Sequence, residues 1–132
     1  MKARINLIKM KEISKDKSIN DLPKYSFENG VLTLEGKIFP EDAKIFWMPI
    51  IAELKIYIEN KKRLTANFKL DYLNTASMLW ISTTFQMLQQ LSIIADMTIN
   101  WYFRKNDEDM EIFGEDYKSS TRIKKFNIIS YD

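Results

Sequence analysis

Phe68-Lys69-Leu70-Asp71-Tyr72-Leu73-Asn74-Thr75-Ala76-Ser77 is the stretch on which the fold turns, because one hydrophobic rhythm ends in it and another begins. Upstream, Leu64, Ala66, Phe68, Leu70 and Tyr72 alternate with Thr65, Asn67, Lys69 and Asp71, the period of a strand with one apolar and one polar face. Downstream, Met78, Ile81, Phe85, Leu88 and Leu91 follow helical spacing. The junction therefore predicts a strand running directly into a helix. Asn74, Thr75 and Ser77 stand where the helix starts, and each carries an oxygen able to accept a bond from a free backbone N–H. Free amides and the positive end of the helix dipole make the same place favourable for an anionic group, including a phosphate on a side chain. Spacing alone favours a plain N-cap and leaves the phosphorylated hydroxyl open as the second reading.

Working outward, the segment after this helix repeats the pattern. Met97, Ile99, Trp101 and Phe103 alternate with Thr98, Asn100 and Tyr102 as another strand with one apolar face. Arg104 to Glu111 reads as a charged turn entering a short helix that ends near Gly114 or reaches Tyr117, and Lys124 to Tyr131 reads as a last strand through Phe126 and Ile128. On the N-terminal side, Tyr25 to Ile38 reads as a hairpin about Asn29-Gly30, a pair that accepts the positive φ of a tight turn, with Gly36 marking a bulge or close approach. Phe39-Pro40-Glu41-Asp42 closes that strand and opens a helix with Ala43, Trp47, Ile50, Ile51, Leu54 and Ile58 on one stripe. Pro49 is expected to kink this segment or divide it, leaving a helix from Pro49 to Asn60, with Lys61, Lys62 and Arg63 closing it. Residues 1–22 form a lead-in, a candidate edge strand followed by a polar connection, and residues 23–132 form the domain.

The order strand, strand, helix, strand, helix, strand, helix, strand implies an α/β fold. It is a single small domain with a mostly parallel sheet of four to five strands and an opening β-hairpin. Inner strands of a sheet covered on both sides are apolar on both faces, whereas every strand here keeps a polar face. The helices are therefore expected mainly on one side, with the other open to water or a partner.

The chain has 132 residues, enough for one domain with a core. Lys and Arg total 20 against 18 acidic residues, a formal charge of +2, which points to neither nucleic acid nor an acidic membrane. The absence of Cys and His removes disulfides, thiolate nucleophiles, most zinc sites and the commonest general base. Asn106, Asp107, Glu108 and Asp109 lack the spacing of a calcium loop and read as a solvated helix start, so no metal is assigned. No glycine-rich phosphate loop, cofactor motif or catalytic constellation emerges, and catalysis ranks last. Without an apolar run of membrane-spanning length or a signal-peptide core, the expected location is cytoplasmic.

Several separated segments in order, Tyr25 to Gly36, Phe39 to Asp42, Phe68 to Thr75, Asn100 to Tyr102, Asp107 to Asp109 and Gly114 to Asp116, resemble the SiaC family of bacterial regulatory phosphoproteins. The resemblance spans Leu22 to Tyr131. It implies a fold akin to the anti-sigma factor antagonists (STAS domains) and a non-enzymatic role in partner switching. It further implies phosphorylation at Thr75 by a SiaB-type kinase, removal by a PP2C-type phosphatase, and binding of a diguanylate cyclase by the unmodified form. Leu73, Asn74, Ser77 and Met78 are the expected partner-binding neighbours. Ala76 replaces the serine usual in the family motif, and the basic N-terminal segment has no clear counterpart. Two readings from other classes stay open: a domain holding a free anion or small ligand at the helix start, and a structural adaptor using the open sheet face.

Overall fold

A computed structural model describes residues 24–38, 43–60, 63–73 and 75–132. The elements are β1 (Lys24–Glu28), β2 (Val31–Ile38), α1 (Ala43–Asn60), β3 (Arg63–Leu73), α2 (Thr75–Leu91), β4 (Asp96–Arg104), α3 (Glu108–Thr121) and β5 (Lys125–Tyr131). The five strands form one sheet in the order β1-β2-β3-β4-β5. Only β1 runs antiparallel to its neighbour, while β2, β3, β4 and β5 are mutually parallel. Asn29 and Gly30 take φ of 52° and 78°, the turn that the Asn-Gly pair favours. The expected lead-in and edge strand in residues 1–22, the Phe39 to Asp42 helix opening, Lys61, Lys62 and the candidate cap Asn74 lie outside the described residues.

The helices and the sheet enclose one core. Leu32, Leu34, Leu64, Ala66, Phe68, Leu70, Met97, Ile99, Trp101, Phe103 and Phe126 of the strands meet Trp47, Ile50, Leu54, Ile58, Ile81, Phe85, Leu88 and Met110 of the helices. The Phe85 ring lies 5.0 Å from Phe68, 4.8 Å from Tyr117 and 5.5 Å from Phe126, so the α2 stripe is the centre of an aromatic cluster. The opposite face of the sheet is polar. Across it the side chains of Thr33, Asn67, Asn100 and Asn127, paired in register, form a ladder. Asn127 Nδ2 donates to Asn100 Oδ1 at 2.9 Å, Asn100 Nδ2 to Asn67 Oδ1 at 2.9 Å, and Asn67 Nδ2 to Thr33 Oγ1 at 3.4 Å.

Four expectations are corrected. Pro49 does not divide α1, which is one helix from Ala43 to Asn60. The buried Trp47, Ile50, Leu54 and Ile58 lie on both sides of the proline, and their burial outweighs its cost of about 3 kcal/mol. Neither Gly114 nor Tyr117 ends α3, which runs to Thr121 and stops at Arg122 in the left-handed region. Gly114 instead packs under Trp101, where a Cβ would sit 2.4 Å from the indole Cδ1. Tyr72 leaves the apolar face: the register steps from Gly36 opposite Leu70 to Lys37 opposite Tyr72, with Asp71 as the extra residue. This bulge turns Tyr72 outward, 48% exposed, and returns Leu73 to the core at 9%. Gly36, with φ of 101°, is the residue on β2 where the shift occurs, as its position suggested. Arg63 opens β3 rather than closing the preceding helix.

Candidate functional site

In a parallel sheet the carboxyl ends of the strands and the amino ends of the following helices lie together, and that is where such folds place their sites. Here that edge carries the start of α1 after β2 and the start of α2 after β3. Thr75 is the first residue of α2 and is exposed. The first turn of α2 contains no acidic side chain, so its orphan amides face no carboxylate of that turn. The start of α3 differs: Asp107 caps it, accepting from Met110 N at 3.1 Å, and Glu108, Asp109 and Glu111 follow in the first turn. These acids are thus a solvated helix start, and the described residues contain no group of His, Cys, Asp or Glu able to hold a metal ion.

The other residues expected at this site separate by exposure. Leu73 is in the core and Ser77 is fully buried, while Met78 is half-buried against the core cluster. The surface beside Thr75 comes from residues the alternation did not single out. Tyr72 is presented by the bulge, and Leu79, one helical turn beyond Thr75, is 68% exposed. Ile45 and Met48, near the start of α1, are exposed as well. Tyr72, three residues before Thr75, and Leu79, four residues after it, are thus large side chains left in water near that hydroxyl along the chain, the kind of group a protein partner covers. The alternation of residue types runs through Tyr72 without a break, so nothing in the sequence marks the bulge at Asp71.

From the core side, α3 braces the first turn of α2. Tyr117 Oη donates to the Met78 carbonyl at 3.3 Å and accepts from Ser82 Oγ at 3.4 Å. Burial raises the Tyr117 pKa, the Ser82 bond opposes this, and the Asp116 charge adds to it, so the phenol stays neutral and able to donate. On the open sheet face, Asp71 Oδ1 accepts from Arg104 Nη2 at 3.4 Å and Tyr131 Oη at 3.5 Å. Lys69 Nζ lies 4.4 Å from the centre of the Tyr131 ring. The bulged residue is therefore tied to β4 and β5, and the bulge has support on its polar side.

This geometry defines a small α/β domain with an exposed threonine at a helix start and an exposed leucine, Leu79, one turn further on. A family model described as "SiaC family regulatory phosphoprotein" matches residues 17–131. The chain belongs to the SiaC family. Three similar solved chains come from Pseudomonas aeruginosa. One, from the crystal structure of diguanylate cyclase SiaD in complex with its activator SiaC, superposes with a TM-score of 0.79 at 17% identity, covering 86% of this chain and 96% of that one. SiaC itself gives 0.72 at 15% identity, covering 87% and 95%, and apo-SiaC gives 0.71 at 15%, covering 87% and 94%. Compared with curated proteins, the sequence matches none. No helix among the described residues is long and apolar enough to cross a membrane.

Proposed function

We propose that this chain is the phosphorylation-controlled member of a bacterial partner-switching set acting in the cytoplasm. A SiaB-type kinase phosphorylates Thr75, a PP2C-type phosphatase reverses the step, and the unmodified protein binds an effector of the diguanylate cyclase class. The observation that carries the reading is the exposed Thr75 hydroxyl at the first position of α2, in a first turn without acidic side chains. Membership of the SiaC family and the likeness to an activator solved with its cyclase support it.

Phosphorylation adds about −1.5 to −2 charges where α2 presents free amides, so the dianion is stabilised by the helix start without displacing a carboxylate of that turn. The same charge falls beside Tyr72 and Leu79. A partner surface that packs on these side chains must then desolvate a phosphate, and binding weakens. Leu73 and Ser77 act from beneath by holding the junction, while the exposed neighbours make the contact. The chain's own residues supply a switchable surface rather than bond-making chemistry.

Titration of the purified cognate cyclase with variants tests the reading. Thr75→Ala is expected to keep affinity close to the unmodified protein, and Thr75→Asp to lower it by at least about tenfold, or 1.4 kcal/mol. Equal affinities for the two variants would count against a charge-gated surface.

A further inference from the structure

The ladder of amides on the open face ends at an edge. Asn67 Oδ1 accepts from Asn100, and Asn100 Oδ1 accepts from Asn127. Asn127 lies on β5, the last strand in the sheet, and among the described residues nothing donates to its Oδ1. Its Nδ2 also has a second hydrogen beyond the one given to Asn100. A ladder of this type is open to extension by another asparagine at the same level.

Among the described residues, no strand pairs with the backbone of β5 in the same direction. Tyr131 O accepts from Lys105 N at 3.0 Å on the β4 side. Alternation along the strand turns the N–H and C=O of Lys125, Asn127 and Ile129 the same way. The groups of Phe126, Ile128 and Ser130 then point away from the sheet. Edge strands in proteins are usually blunted by proline, a bulge, brevity or free charge. β5 has seven residues without proline or glycine, its register with β4 is unbroken, and its one ionisable cation, Lys125, is held by Asp96 at 2.8 Å. The other edge, β1, has five residues and ends in Lys24 and Glu28.

We propose that β5 is a self-association edge, at which a second copy of this chain pairs antiparallel about a twofold axis through Asn127. That register lets Phe126 of each copy exchange backbone hydrogen bonds with Ile128 of the other. Asn127 then faces itself as a non-hydrogen-bonded pair, the arrangement in which side chains approach most closely. The two amides bond to each other and join the ladders of both sheets. On the helix-covered side, half-buried Ile128 gains an apolar neighbour in the other copy's Phe126. Centring the pair one residue later would set Asn127 against Ile129 and break the ladder. Thr75 follows β3, and β4 lies between β3 and β5 in the sheet order, so the strand that pairs is not the one that leads into Thr75.

Sedimentation of the full chain across a micromolar to millimolar range, with single-cysteine crosslinking, tests this. The chain contains no cysteine, so each variant has one thiol. The Cα separation of about 4.5 Å expected for a facing non-hydrogen-bonded pair falls within disulfide range. Asn127→Cys is expected to form a disulfide-linked dimer more than about tenfold faster than Asn106→Cys, a control in the exposed turn before α3, because pairing raises the local thiol concentration. Unmodified protein is expected to show a concentration-dependent dimer, which Ile128→Pro abolishes by deleting an outward N–H that β4 does not use. Should Ile128→Pro fail to fold, the crosslinking comparison still decides. Monomer at every concentration overturns the proposal, and so does a dimer in which Asn127→Cys crosslinks no faster than the control.

Discussion

Thr75 and Ser77 are two residues apart, both hydroxylic, and alike in sequence, yet only one of them reaches solvent: Thr75 is exposed and Ser77 is fully buried. Position on the first turn of α2 decides which hydroxyl an enzyme can reach. Tyr72 and Leu73 form a second contrasting pair, set apart by one bulged residue. Because Leu73 is in the core, Leu73→Ala is expected to cost about 2–5 kcal/mol in urea unfolding. Tyr72→Ser is expected to change stability by under about 0.5 kcal/mol and to weaken effector binding, since the ring is in water. The opposite order would restore Tyr72 to the apolar face. Gly114 makes the sharpest packing demand. A methyl there meets Trp101, whose Nε1 is already committed to the Met110 carbonyl at 2.9 Å, so the indole is not free to turn away. Gly114→Ala should therefore lower stability by about 1–3 kcal/mol despite alanine's better helix propensity. Unfolding in urea measures the sign, and a stabilised variant would contradict this packing.

The elements were readable where one period ran uninterrupted. Ile81, Phe85 and Leu88 in α2, and Met97, Ile99, Trp101 and Phe103 in β4, are buried as their spacing required, and Asn29-Gly30 makes the hairpin. The polar faces of the strands correctly implied helices on one side. Reading failed where local chemistry and tertiary packing disagreed. Pro49 is unfavourable in a helix interior, but four buried side chains share its stripe, and Gly114 resembles a helix stop until Trp101 is seen beneath it. The Asp71 bulge changes face without changing composition, so the exposure of Tyr72 was hidden while Thr75 was not. One long-range contact predicts a pH response. Tyr25 of β1 donates to Glu53 Oε2 of α1, and its pKa is raised by burial first and then by the Glu53 hydrogen bond and charge. A raised tyrosine pKa contributes stability that is fully present below the unfolded value near 10.0 and is lost as pH rises above it. Melting temperatures of the parent should therefore fall more steeply above that pH than those of Tyr25→Phe, and parallel curves would remove Tyr25 from the alkaline response.

At the scale of the whole molecule, the domain divides its surfaces. One sheet face is filled by helices, the other is a polar ladder leading to the β5 edge, and the carboxyl end of β3 leads into the exposed Thr75. Thr75 is exposed at the first residue of α2, so under the proposal a phosphate there alters a surface and leaves the fold in place. The central claim rests on where the phosphate goes. Incubating the purified chain with a SiaB-type kinase and ATP, then mapping the product by mass spectrometry, tests it most directly. The account predicts a single phosphate on Thr75, none on the buried Ser77, and an unchanged far-UV circular dichroism spectrum. Phosphate confined to another residue, or a chain left unmodified by an active kinase, would contradict it.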